Sequence, residues 1–163
     1  MLKNFIVGML IVTAFSGCLK STPDETCNPN YDPCNIKAPG SEIQAVQDYL
    51  TANGITNATQ HCSGLFYVID NPGTGATANV CSDISVTYEG KLTNGNVFET
   101  KNSPTALNLS SVILGWKNGI PLIKAGGRIY LYIPPTLGYG SYTSASIPAN
   151  SILIFRVELV AVH

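Results

Sequence analysis

Three stretches of the chain alternate apolar and polar residues with a period of two, and only a β-strand with one buried face satisfies that pattern. Ile84, Val86, Tyr88 and Leu92 alternate with Ser85, Thr87, Glu89 and Lys91. Ile129, Leu131 and Ile133 alternate with Arg128, Tyr130 and Tyr132, and Leu153, Phe155, Val157, Leu159 and Ala161 share one face of a longer segment. Asn94-Gly95 after the first stretch is a hairpin signal, so Val97-Phe98 opens the return strand. Leu65 to Ile69 reads as one more compact strand, ended by the turn Asn71-Pro72-Gly73. Helical signals are few. Ser41-Glu-Ile-Gln44 reads as a capping box, after which Val46, Tyr49 and Leu50 fall on one face until Asn53-Gly54 stops the helix. Trp116 to Ala125 is the other candidate, and Pro121 should end it early. The expectation is an α+β domain, an antiparallel sheet with a short helix across it.

With 45% hydrophobic and 12% charged residues the composition is globular, and the formal net charge of -1 with no basic block argues against a nucleic-acid partner. The first residues stand apart. Lys3 precedes the apolar run Phe5 to Phe15, too short to span a bilayer but suited to the core of an export signal. Phe15-Ser-Gly-Cys18 resembles the lipobox of bacterial lipoproteins, which implies cleavage after residue 17, lipidation of Cys18 and a membrane-anchored protein. Residues 1–17 are thus read as a lipoprotein signal, 18–40 as a tether carrying Pro23, Pro29, Pro33 and Pro39, and 41–163 as the domain, with its helix at 41–53.

Cys27, Cys34, Cys62 and Cys81 remain, an even number in an exported chain, and disulfides are expected. No close cysteine or histidine pair has zinc-ligand spacing, so no metal is expected. Nor is there a nucleophile elbow, a phosphate loop, or a histidine with a nucleophile near it in sequence, and no cofactor is implied.

Four ordered blocks carry a resemblance instead. Val86-Thr-Tyr-Glu-Gly-Lys-Leu-Thr-Asn-Gly-Asn-Val-Phe-Glu99, Val112-Ile-Leu-Gly-Trp-Lys-Asn-Gly119, Tyr132-Ile-Pro-Pro-Thr-Leu-Gly-Tyr-Gly140 and the run from Ile147 to Leu159 resemble, in order and spacing, the signatures of FKBP-type peptidyl-prolyl cis/trans isomerases. Taken singly, Tyr88, Phe98, Trp116 and Phe155 read as ordinary core residues and Tyr139 as a turn tyrosine; together they point to a pocket. The resemblance implies a five-stranded antiparallel half-barrel wrapped on one short helix, with a proline pocket between them. Trp116 would be its floor, with Tyr88, Phe98, Val112, Ile113, Ile147 and Phe155 as walls. The Tyr139 hydroxyl and the Ile113 backbone N–H would donate to substrate carbonyls. Glu99 stands where the family usually has Asp, Leu107 where an aromatic is common, and residues 141–146 form an atypical rim.

The implied activity is prolyl isomerisation of exported proteins in the cell envelope. The implied partners are client chains with Xaa-Pro bonds, macrolide inhibitors, and a membrane reached through the lipid anchor. The alternative reading is a non-catalytic client-binding chaperone of the same fold. Cys27 and Cys34 lie close in a turn-rich stretch, which favours a local bridge and leaves Cys62 to pair with Cys81. Against this, the family topology puts the starts of the first two strands at opposite ends of the sheet. The competing arrangement bonds Cys27 or Cys34 to Cys62 or Cys81, tying the arm to the domain.

Overall fold

A computed structural model describes residues 27–144 and 146–163; the expected signal segment, Cys18 and the first part of the expected tether lie outside the described residues. The alternating stretches form strands. In chain order the elements are helix α1 (Gly40–Ala52), β1 (Thr59–Gln60), β2 (Phe66–Asn71), β3 (Asp83–Leu92), β4 (Val97–Asn108), helix α2 (Leu114–Gly119), β5 (Gly127–Ile133) and β6 (Leu153–Val162). They make one antiparallel sheet in the order β1-β2-β5-β6-β3-β4. The expected five strands are present, with the two-residue β1 added as a sixth. A 3-10 turn at Ile120–Leu122 continues α2, so the helix ends just ahead of Pro121 as its missing N–H requires.

The period of two sorts side chains onto two faces, and both are covered. Ile129, Leu131, Ile133, Phe155, Val157 and Leu159 pack with Trp116 and Ile120 of the α2 segment. On the opposite face Val46 and Leu50 of α1 close over Phe66, Tyr132 and Ile154. Phe66 pairs with Tyr132, and Tyr132 with Ile154, so this second core is one row across three strands. That explains why β6 is buried on both faces at Leu153, Ile154 and Phe155, where simple alternation would leave one face wet. Two glycines let α2 lie close to the sheet. A β-carbon at Gly115 would come 2.6 Å from Ile133, and one at Gly119 2.5 Å from Leu131, both wholly buried neighbours. At the far edge, β4 loses register with β3 between Val86 and Tyr88, opposite the stretch holding Pro104, whose missing N–H suits an edge.

Two expectations are corrected. Ser41 does not cap α1: the helix begins one residue earlier, Pro39 occupies the cap position without a side-chain bond, and Gln44 donates instead to Asp48 at 2.8 Å. The entry is set by the chain, since the Ala38 N–H donates to the Ser63 carbonyl at 2.9 Å. The disulfides join Cys27 to Cys81 and Cys34 to Cys62, with Cα separations of 5.5 and 5.4 Å, so the local Cys27–Cys34 bridge is wrong and so is Cys62–Cys81. The sheet order is the reason. Cys62 precedes β2 and Cys81 precedes β3, and β5 and β6 lie between those oppositely directed strands. A disulfide needs Cα atoms within about 7 Å. The arm spans the gap, with one cysteine bonded at each end.

The bridged arm is docked, not free. The Tyr31 hydroxyl donates to Asn118 Oδ1 at 2.6 Å, and Asn118 Nδ2 donates to the Pro33 carbonyl at 3.2 Å. Asn118 is only 4% exposed, so the arm supplies the partners that a buried amide requires. No described helix is long and apolar enough to cross a membrane.

Candidate active site

The inward positions of β3 are Ile84, Val86, Tyr88, Gly90 and Leu92, and position 90 has no side chain to fill its place in the row. Aromatic rings occupy that space. A β-carbon at Gly90 would meet two ring carbons of Phe98 at 2.6 Å and one of Phe155 at 2.7 Å. Phe98 and Phe155 stand edge-to-face with centroids 5.4 Å apart, and Phe155 meets Trp116 in the same manner at 5.3 Å. Tyr88 closes the group, 5.0 Å from Trp116 at an interplanar angle of 88°. Such contacts place ring edges against ring faces, which suits the aromatic quadrupole and leaves a fixed, apolar surface.

Trp116 lies under an open cavity of about 240 Å³ lined by Tyr88, Glu99, Leu107, Ser111, Val112, Ile113, Trp116, Tyr139 and Phe155. Most of the residues expected from sequence therefore meet in one place. Phe98 stands behind Phe155 as its support, and Ile147 lines an adjoining cavity of about 320 Å³ with Tyr139, Tyr142, Thr143 and Ser144. Ser111 and Gly90 were not anticipated. Ser111 precedes Val112-Ile113, and the aromatics flanking an inward glycine in β3 were the available signal for Gly90.

Each side chain is held from a different element. Trp116 sits on the single full turn of α2, whose first carbonyl, Ile113, accepts from the N–H groups of Trp116 and Lys117 at 3.0 and 3.1 Å. The Ile113 N–H itself has no acceptor among the described residues, as expected of a group ahead of a helix. The Trp116 indole N–H is likewise buried and unpaired among the described residues. Tyr139 follows the turn Pro135–Leu137, which is pinned to α1 because the Thr136 N–H and hydroxyl donate to the two Glu42 carboxylate oxygens at 2.8 and 2.9 Å. Burial, followed by the Glu99 carboxylate beside it, pushes the Tyr88 hydroxyl far above the ordinary phenol range. Burial and then Glu99 also raise Tyr139. Both hydroxyls therefore stay protonated and able to donate. Glu99 is exposed and lies 3.8 Å from Lys101.

The cavity thus offers an apolar floor and walls, two neutral tyrosine hydroxyls beside Ser111, and a free backbone N–H, with no activated nucleophile among its lining groups. It can receive a compact apolar ring and fix the flanking backbone. The one group of three potential metal-ligating side chains among the described residues, Cys34, His61 and Cys62, lies elsewhere, and the disulfide engages both of its sulfurs.

Residues 75–160 match the sequence model of a family described as FKBP-type peptidyl-prolyl cis-trans isomerase. The protein named FKBP-type peptidyl-prolyl cis-trans isomerase FkpA of Buchnera aphidicola subsp. Schizaphis graminum is 49% identical over 102 residues, covering 60% of this chain and 40% of the relative. The Escherichia coli K12 protein of that name is 34% identical over 134 residues, 80% of this chain and 48% of the relative. This chain therefore spans less than half the length of these curated relatives. The crystal structure of FkpA from Escherichia coli superposes with a TM-score of 0.67 at 32% identity, over 75% of this chain and 59% of that one. A peptidyl-prolyl cis-trans isomerase from Pseudomonas syringae also reaches 0.67, at 26% identity, over 77% of this chain and 97% of its own.

Proposed function

Because the chain belongs to the FKBP-type peptidyl-prolyl cis-trans isomerase family, we propose that it interconverts cis and trans Xaa-Pro bonds in client proteins, with the Trp116 cavity as its site. The observation that carries this reading is the edge-to-face cluster of Tyr88, Trp116 and Phe155 under an open apolar cavity. The barrier to prolyl rotation is amide resonance, and no bond to the amide need be made or broken to lower it. A proline ring against Trp116 moves the amide out of water, where its charge-separated resonance form is less stabilised. The Ile113 N–H and the Tyr139 hydroxyl hold the carbonyls on either side, so the cavity fits the twisted amide better than either planar form. Tyr88, kept protonated, donates within the same cavity. Leu107, Val112 and Phe155 shape its walls, Phe98 supports them, and Ile147 extends the surface toward the rim. The same cavity is the place for a macrolide inhibitor.

Export and attachment complete the proposal. The apolar run from Phe5 to Phe15 directs the chain out of the cytoplasm, and lipidated Cys18 holds it at the envelope. The two disulfides suit an oxidising compartment.

The test is the rate of cis/trans exchange of a short Xaa-Pro peptide, read by NMR, with the parent and with Trp116→Leu, which keeps an apolar side chain in the core. A loss of roughly ten-fold or more in kcat/KM, about 1.4 kcal/mol of transition-state stabilisation, is expected. A folded variant as fast as the parent would remove the assignment.

A further inference from the structure

The two disulfides differ in what surrounds them. Cys62 is solvent-exposed and Cys34 partly so, and both ring nitrogens of His61 lie close to Cys62 Sγ, Nδ1 at 3.6 Å and Nε2 at 3.7 Å. Ser63 faces Nδ1 with its hydroxyl at 2.9 Å, which can donate or accept, and with its backbone N–H at 3.2 Å, which can only donate, so Nδ1 accepts and the proton of the neutral ring sits on Nε2. The ring that carries this Nε2–H lies against the Cys62 sulfur. Burial holds the imidazole below its ordinary range, so this neutral tautomer is the form present at neutral pH. Cys27–Cys81 has no such neighbour: His163, the other histidine of the chain, engages Ser85 Oγ at 2.9 Å instead.

We propose that Cys34–Cys62 is an exchange-active disulfide, a second chemical site opened by a dithiol partner with the help of His61, while Cys27–Cys81 is a permanent link. A thiolate of the dithiol attacks Cys34 Sγ, and the S–S electron pair leaves on Cys62 Sγ. The His61 Nε2–H stabilises that departing thiolate, and a better-stabilised leaving thiolate departs faster. The second thiol of the partner then attacks the mixed disulfide and expels Cys34. Two electrons pass from the dithiol to the protein, the partner ends as a disulfide, and Cys34 and Cys62 each end as a thiol with one of the two protons released. The reverse sequence closes the site.

The consequence reaches the cavity. Opening Cys34–Cys62 frees one end of the arm that supplies Tyr31 and the Pro33 carbonyl to Asn118. Asn118 is two residues past Trp116 on the six-residue α2, so the bond that opens lies at the back of the helix that carries the cavity floor.

The test uses the intact oxidised protein, dithiothreitol as the dithiol, and timed alkylation of the freed thiols followed by peptide mass spectrometry. Cys34 and Cys62 should become alkylated about ten-fold faster than Cys27 and Cys81. His61→Gln should slow the first pair and leave the second unchanged. Comparing parent with variant at each pH cancels the ionisation of the reductant. The parent's advantage should be larger at about pH 5.5 than at about pH 8, because the protonated ring stabilises a thiolate more strongly. The other ionisable groups nearby are Tyr31 and Lys117, which line the same groove, and Asp32, whose carboxylate accepts the Cys34 N–H at 2.8 Å. Burial raises the Tyr31 hydroxyl, so it stays protonated throughout, and Lys117 and Asp32 are common to both proteins. Equal opening of the two disulfides in the parent, which requires no variant, overturns the proposal. So does a His61→Gln protein that opens as fast as the parent at both pH values.

Discussion

Gly90 and Phe98 occupy one space between them: the position where a β-carbon of residue 90 would stand lies 2.6 Å from two carbons of the Phe98 ring. The ring reaches Phe155, and through it Trp116, because β3 omits a side chain at that point. Gly90→Ala should displace Phe98 and Phe155 together, since an overpacked core costs roughly 1–3 kcal/mol. Urea unfolding should show the lower midpoint, and prolyl exchange should slow in the same protein. A variant unchanged in both would mean that the rings move aside freely.

The Asn118 amide is the joint between arm and domain. Asn118→Ala leaves the Tyr31 hydroxyl and the Pro33 carbonyl without their partner and should cost about 1–3 kcal/mol in denaturant unfolding. Tyr31→Phe keeps the ring, removes a single hydrogen bond, and should cost the smaller share.

Arg128 ties β2, β5 and β6, donating to Glu158 from Nε and Nη2 at 3.1 and 2.6 Å and to Asp70 from Nη1 at 2.9 Å. Hydrogen bonding from Arg128 is the main cause that lowers the Glu158 carboxyl below its ordinary value of 4.5. A carboxyl lowered in the folded state adds stability that is present above its unfolded value and is lost as pH falls through the folded one. The thermal midpoint should therefore drop on acidification below about pH 4.5, and less steeply in Arg128→Gln. High salt should shrink the difference, because these groups are only partly shielded from solvent.

Non-reducing peptide mapping should recover fragments joining residue 27 to 81 and 34 to 62, the pairs of the structure. A fragment joining 27 to 34 would contradict it.

Labelling cells with a radioactive fatty acid should mark the parent and leave Cys18→Ala unmarked. Equal labelling of the two would remove the anchor from the proposal.

How much could be read from sequence follows from how local each signal is. The period of two in β3, β5 and β6 reports burial directly, and Asn94-Gly95 turns the chain as its residues demand, with Gly95 at a φ of 86°. Tyr88, Trp116, Tyr139 and Phe155 were legible as a set because their blocks stand in the family's order, although alone Tyr139 looks like a turn residue and the others like core. The disulfide pairs were not legible. Closeness of Cys27 and Cys34 along the chain says nothing about a sheet that separates β2 from β3 by two strands. Ser41 as a cap failed for a related reason: the Ala38–Ser63 bond, a contact from another segment, sets where the helix begins. Asn118 was passed over because a polar residue on a short helix looks solvent-facing until the arm is laid across it.

The Cys27–Cys81 bridge also decides how the domain bears mechanical load. A pull on the chain ahead of Cys27 passes through that bond to Cys81, two residues before β3. β3 is hydrogen-bonded along both edges, to β4 and to β6, so the tension enters the sheet at an interior strand. α1 and the short β1 lie between Cys34 and Cys62, and that bridge takes them out of the loaded path. A domain held by its leading end and tugged by a client would transmit the force through covalent bonds into β3, with the arm from Cys27 to Cys34 as a second covalent route that ends ahead of β2.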